Sequence, residues 1–350
     1  MRTAIVVGAG ASAELNLPVG NKLTGIIADR LNFKIERGSR TSGSDDIYCA
    51  LQHGKAQSDP RCSDFNSLMR AARMIQAAMP LAPSIDNFIH THNENKAIEL
   101  VGKLAIAESI LEAERHSKIY FQPGKRDSQV DFAQLKDTWF NAFSQRLMEY
   151  GTIDDLRRRL ADITFIIFNY DRCIEHYLFH AFKTYYDNLS PEDAGGLVNS
   201  IQIFHPYGSV GSLPWIQNGS ETVSFGESCD PRKLFGLAGE IRTFTEGTDL
   251  QSSHVAGLRQ SLEDADQVVF LGFHFHKLNL DLLRPRTAAT PKSSQTYKVF
   301  ATAKNFKGED RDAIRNDISK RFAGHVRSFF IDDCTCAELF DRNKVTLAFD

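Results

Sequence analysis

The chain has 350 residues, 42% hydrophobic and 24% charged, a composition that suits a folded globular protein rather than a disordered or fibrous one. Its net charge of −3 gives no electrostatic footing for coating nucleic acid or an anionic membrane, so direct nucleic-acid binding is not expected. The six cysteines (Cys49, Cys62, Cys173, Cys229, Cys334 and Cys336) are scattered without a C-x-x-C pair, which speaks against a disulfide framework and for a reducing cytosol.

The chain opens on Met1-Arg2 and a short apolar run, a superficial match to a secretion signal. The run is too short for that, and Glu14, Asn16 and Pro18 follow at once. No stretch approaches the ~18 apolar residues of a membrane helix, so the expected location is the cytoplasm. Residues 3–12 read as a strand and a phosphate-type turn, followed by a helix from Asn21 to Arg30. Residues 33–62 are polar, rich in Ser, Gly and Asp, and without periodicity, which predicts a long mobile loop.

A helical block follows. Phe65, Leu68, Met69, Ala72, Ile75 and Met79 keep one helical face, Leu100, Leu104, Ala107 and Leu111 a second, and Phe132, Leu135, Trp139, Phe143 and Leu147 a third. Pro80 and Pro83 break the first, and the stretch from Gly124 to Asp127 separates the last two. Arg157-Arg158-Arg159 reads as the solvated face of a helix. From 163 apolar runs alternate with helices: strands at 163–168, 201–205, 268–271, 297–301 and 328–331, with helices carrying Ile174, Tyr177, Leu178 and Phe182, and again near 251–263. That alternation predicts an α/β fold, a doubly wound parallel Rossmann-like sheet with an inserted helical subdomain. The expected division is 1–62 with 161–350 for the sheet domain and 63–160 for the insertion.

Three strand ends carry chemistry. Gly8-Ala9-Gly10-Ala11-Ser12-Ala13 fits G-x-G-x-x-A between a strand and a helix, where the first glycine permits the tight turn and the second lets a pyrophosphate approach the backbone. A hydride-transfer site also wants an acidic residue at the end of the next strand; Asp29 lies about 20 residues on but inside a helix-like stretch, which counts against a dehydrogenase. Phe165-Ile166-Ile167-Phe168 ends abruptly in Asn169-Tyr170-Asp171, with Asp171 either a helix cap or a site carboxylate. Ile201-Gln202-Ile203-Phe204 ends in His205-Pro206-Tyr207-Gly208-Ser209, where His205 is a structural side chain or a proton acceptor near neutral pH. His90 with His92, and His274 with His276, lack a convincing third and fourth metal ligand.

These segments together resemble the sirtuin-like domains of bacterial anti-phage defence. Gly8-Ala9-Gly10-Ala11-Ser12 with Pro18 and Gly20 is similar to the family's opening, and Asn169-Tyr170-Asp171 with Glu175 to its N-Y-D-x-x-x-E block. His205-Pro206-Tyr207-Gly208-Ser209 resembles its histidine–glycine–serine block, and Gly272-Phe273-His274-Phe275 followed by Leu278-Asn279-Leu280 its late glycine–aromatic segment. Ser84-Ile85-Asp86-Asn87-Phe88 is similar to its S-I-D-x-F element. The five blocks run in the family's order across nearly the whole chain. Two features depart from the protein-deacylating members: the paired zinc cysteines and the P-D-F-R element are absent, so no zinc is expected. In much of the family the histidine directly precedes the glycine. Here Tyr207 holds that place and His205 lies two residues earlier, which leaves open which of them occupies the catalytic point; neutral tyrosine is a poor base.

The resemblance implies an NAD⁺ glycohydrolase that cleaves the nicotinamide–ribose bond and depletes NAD⁺ during phage infection. It implies Asn169, His205 and Asp171 as catalytic residues, Gly8, Ala9, Gly10 and Ser12 at the pyrophosphate, and Gly272 on the adenosine side. Asp86 is implied at the nicotinamide, and Tyr207, Gly208, Ser209, Phe273 and Asn279 elsewhere along the nucleotide. NAD serves as substrate. A homo-oligomer is expected, with a helicase-like ATPase as partner and sensing supplied by a separate protein. The rival expectations are a zinc-free deacylase and a non-catalytic module sensing NAD⁺ or ADP-ribose.

Overall fold

A computed structural model describes residues 1–36, 39–62, 64–125, 128–187, 189–216, 219–247, 253–284, 297–322 and 326–349. Six strands form one parallel sheet: β1 (Thr3–Val7), β4 (Ile163–Ile167), β5 (Gln202–Phe204), β6 (Gln267–Leu271), β7 (Tyr297–Thr302) and β8 (Val326–Asp332). Between β1 and β4, a separate antiparallel hairpin pairs β2 (Lys34–Glu36) with β3 (Ser39–Ser42). The large sheet runs β5-β4-β1-β6-β7-β8, which, with the hairpin set aside, is the 3-2-1-4-5-6 order of a doubly wound Rossmann-like fold.

The apolar runs become strands because both of their faces are covered. Ala4, Val6, Ile166, Val268, Phe270, Val299 and Ala301 enter one hydrophobic cluster, while Ile5, Val7, Phe165, Ile167, Val269, Leu271 and Phe300 enter the other. The strict alternation along each strand is the pleat of a sheet buried on two sides, and each Val, Leu, Ile or Phe among these side chains contributes about 1.5–3 kcal/mol on burial. Helices 20–30, 65–78, 96–115, 253–263 and 308–321 pack on the first face. Helices 139–148, 153–161, 173–185, 191–199 and 336–342 pack on the second. The segment 63–160 therefore supplies helices to both layers.

Two local expectations are corrected. The stretch 33–62 is not one loop: it holds the hairpin and a helix, Asp45–Ala56, whose Ser44 cap accepts the Ile47 N–H at 3.1 Å while Ile47, Ala50 and Leu51 face the core. Its apolar residues are few, so tertiary burial rather than pattern makes the helix. The third stripe is not one helix either. It breaks into a 3₁₀ turn, Phe132–Leu135, and a helix, Trp139–Met148, because Thr138 caps the second and donates to Leu135 O at 2.6 Å.

The run Arg157-Arg158-Arg159 is consumed locally: Arg157 pairs with Asp154 at 2.9 Å, Arg158 with Asp155, and Arg159 donates to the Leu147 carbonyl at 2.7 Å. All six cysteines are free thiols. Among the described residues, no helix is long and apolar enough to cross a membrane.

Candidate functional site

Strands β4 and β6 flank β1 on either side, so the carboxyl ends of β1, β4 and β5 lie side by side, with β6 across the switch in strand order. At that switch two backbones cross. Gly10 N–H donates to Gly272 O at 3.0 Å and Gly8 N–H to Leu271 O at 2.9 Å. A Cβ on Gly8 would lie 2.6 Å from Gly272 O; one on Gly272, whose φ is +56°, would lie 2.0 Å from Ala11 N. The first duty of these glycines is thus the close approach of β6 to the β1 turn. Ala9, between them, is exposed. The turn is fixed from behind by Trp139, whose Nε1 donates to Ala11 O at 3.0 Å, and by Glu14, which accepts the Trp139 N–H at 2.7 Å and the Ala337 N–H at 3.0 Å at the start of two helices.

A polar cluster occupies the β1, β4 and β5 ends. Asn169 Nδ2 donates to Gly8 O at 3.2 Å and to Ser12 Oγ at 3.0 Å, and Ser12 Oγ donates to Asp171 at 3.0 Å. Asp171 also accepts the Cys173 N–H at 3.2 Å from the position before Arg172, which is the N-cap of the following helix and has no side-chain cap bond of its own. Burial raises its pKa, and the Cys173 and Ser12 bonds offset this only in part. It stands at the end of the strand beside β1, where a Rossmann fold carries its acidic residue; Asp29 lies in helix 20–30.

His205, at the end of β5, is held from two sides. Nδ1 lies 3.3 Å from the Asn169 carbonyl and Nε2 2.8 Å from Glu175 Oε1. Burial disfavours the imidazolium, but the Glu175 carboxylate, with help from the Asn169 carbonyl and Asp171, outweighs it and raises the pKa. Glu175 Oε2 is buried, and none of the described residues donates to it. His254, at the start of helix 253–263, packs edge-on to Phe204 at 5.2 Å; burial, with the positive charge of Arg242, pulls its pKa down.

On the first face of the sheet the same strand ends present two tyrosines. Tyr170 OH donates to Asp86, and Tyr207 OH donates to Asn279 Oδ1 at 2.6 Å. Burial raises the pKa of Asp86 and of both phenols. Phe168 joins them, 5.7 Å from Tyr207 and 5.2 Å from Phe273 between ring centres. Gly208 N–H closes the turn on His205 O at 3.1 Å, while Ser209 Oγ turns back to Gly211 O at 3.2 Å.

The sequence-derived polar site residues fall into two subsets by hydrogen bonding, Ser12, Asn169, Asp171 and His205 in one and Asp86 with Tyr170 and Tyr207 with Asn279 in the other, with Ser209 engaged in its own loop. The residues that support the cluster carry no signal of that role in the sequence. Arg172, directly after Asp171, is buried and paired with Glu114; Glu114 Oε1 also accepts the Arg172 N–H at 3.0 Å, and Arg172 donates to Val223 O at 2.6 Å. A pair 58 residues apart leaves no spacing signal. His254 was equally silent. Glu175 stood in a recognised block, and its contact with His205 was not deducible without the sheet order. Among the described residues no group of three or more His, Cys, Asp or Glu could hold a metal ion. Comparisons of the chain with protein-family models, with curated proteins and with solved structures returned no match.

Proposed function

We propose that the chain is an NAD⁺ glycohydrolase, releasing nicotinamide and ADP-ribose, and that it works in anti-phage defence by depleting NAD⁺. The observation that carries this reading is the meeting of Ser12, Asn169, Asp171 and His205 at three adjacent strand ends, with Ser12 Oγ 3.0 Å from both Asn169 Nδ2 and Asp171 Oδ2. The resemblance of the five sequence blocks supplies NAD⁺ as the substrate. Nicotinamide departs as a neutral leaving group, so the barrier is the positive charge that develops on the ribose. Asn169, its nitrogen committed to Gly8 and Ser12, offers Oδ1 to a ribose hydroxyl or to the attacking water. His205 orients the reacting groups, and Asp171 supports the positive charge. Asp86 and the tyrosines suit a hydrogen-bonding aromatic ring. A homo-oligomeric state and control by a helicase-like ATPase complete the proposal.

A second reading, binding of NAD⁺ or ADP-ribose without turnover, is favoured by one observation: both ring nitrogens of His205 face acceptors. Incubating the purified chain with NAD⁺ alone, followed by chromatography, separates the readings. Nicotinamide release without an acyl peptide is expected, and Asn169→Ala and His205→Ala should each abolish it while leaving the fold intact. Full activity in both variants overturns the assignment, binding without release favours the sensor, and release only with an acyl-lysine peptide favours a deacylase.

A further inference from the structure

We propose that Glu175, rather than His205, is the proton acceptor of this site, and that His205 is the residue that positions it. Glu175 has this role in bond cleavage only if the chain hydrolyses NAD⁺ as proposed above. The geometry concerns which acceptors in the cluster are still open. His205 has a carbonyl at Nδ1, 3.3 Å away, and a carboxylate oxygen at Nε2, 2.8 Å away. Two acceptors require a hydrogen on each ring nitrogen, and a ring so placed has no lone pair with which to take a proton. Neither oxygen of Asp171 is without a donor: Oδ1 receives Cys173 N–H at 3.2 Å, and the one hydroxyl hydrogen of Ser12 is within reach of Oδ1 at 3.2 Å and of Oδ2 at 3.0 Å. Asn169 keeps Oδ1, and an amide does not accept a proton at neutral pH. What remains is Oε2 of Glu175, a carboxylate oxygen buried beside His205 with no donor among the described residues. A buried charged acceptor left unmet is costly, and such an atom in a native cluster points to a partner that arrives with the ligand.

The groups facing His205 are Glu175 on helix 173–185, Asp171 just before that helix, and His254 on helix 253–263, with Arg242 acting on His254. Burial disfavours a positive His205, and the carboxylates outweigh it, so the raised pKa agrees with a ring that carries both protons. In the reaction, the water oxygen bonds to the anomeric carbon of the ribose as the carbon–nitrogen bond breaks, and that electron pair leaves with the nicotinamide nitrogen. One proton of the water passes to Glu175 Oε2 and then to solvent. NAD⁺ and water thus give nicotinamide, ADP-ribose and one proton. His205→Ala silences the site because it removes the ring whose Nε2, 2.8 Å from Oε1, holds the Glu175 carboxylate in place.

Two glutamine variants of the full chain test this. Gln in His205→Gln keeps an N–H for Glu175 Oε1 but cannot act as a base. Gln in Glu175→Gln keeps the shape and the acceptor for His205 but cannot take a proton. NAD⁺ turnover should fall by at least about a hundredfold in Glu175→Gln and by no more than about tenfold in His205→Gln, the range lost with a general base. Melting curves of both variants show that each is folded. Near-normal turnover in Glu175→Gln with an inactive His205→Gln overturns the proposal, and equal losses do the same. A second readout does not depend on NAD⁺: imidazole resonances of His205 should report both nitrogens protonated at neutral pH in the wild type and one in Glu175→Gln. A neutral His205 in the wild type overturns the proposal. If the wild type releases no nicotinamide, the NAD⁺ reading fails by itself and the imidazole spectrum still decides which residue of the pair holds the protons.

Discussion

The two sides of β1 end in opposite ways. Toward β6 the backbone of Gly8 and Gly10 meets that of Gly272, with a hydrogen bond of 3.0 Å and no space for a side chain. Toward β4 and β5 the same turn meets side chains, Asn169 and Asp171, and beyond them lies the His205–Glu175 pair, in which Glu175 Oε2 is buried without a donor among the described residues. The glycine motif, the most recognisable nucleotide signal in the sequence, is therefore first a packing requirement, and the residues able to move a proton lie on its other flank. Ser12 is the hinge between the two, accepting from Asn169 and donating to Asp171.

That contrast can be broken from either side. The largest effect is expected at the crossing: Gly272→Ala places a Cβ 2.0 Å from Ala11 N at a positive φ, and should cost on the order of 5 kcal/mol in chemical denaturation or prevent folding. On the polar flank, Glu114→Ala strips the buried Arg172 of its counter-charge and should cost about 3–4 kcal/mol, read as a lower urea midpoint with an unchanged slope. A cost within error at Glu114 would mean that the Asn169–Asp171 loop is held by other contacts.

Much of this architecture was readable beforehand. The apolar runs that form strands Thr3–Val7, Ile163–Ile167 and Gln267–Leu271 are covered on both faces, and glycine or polar residues mark their ends, so their strand character followed from the runs themselves and the parallel arrangement from their alternation with helices. What was not readable is adjacency. Val7 pairs with Ile167 across 160 positions, and nothing local says that Asp171 rather than an earlier carboxylate ends the strand next to β1. The helix at 45–56 was hidden for a related reason: its burial against the rest of the molecule, rather than a regular stripe, holds it. Glu175 was visible as a letter in a block, while its role beside His205 depends on where β5 lies in the sheet.

A smaller expected effect lies at the hinge. Ser12→Ala removes a hydroxyl that joins Asn169 to Asp171 and should cost about 1–3 kcal/mol by denaturant titration, with a clear fall in NAD⁺ turnover. Unchanged turnover would detach the glycine turn from the chemistry. The smallest concerns pH. His205 has a raised folded-state pKa, so its contribution to stability is complete below the unfolded value of 6.5 and is lost as pH rises through the folded pKa. His180, on the same helix as Glu175, behaves in the opposite sense: burial lowers it to about 4, so its contribution is present above 6.5 and lost as pH falls through about 4. Melting temperatures across pH should therefore show the gap between wild type and His205→Gln narrowing on the basic side. A gap independent of pH would mean that His205 is neutral in the fold.

Hydrogen exchange on Glu175→Gln, with and without NAD⁺, tests most directly that the β4 and β5 ends form the nucleotide site, since that variant is expected to bind without turning over. The account predicts added protection along 168–176 and 205–212. Identical exchange with and without NAD⁺ in those segments would contradict it.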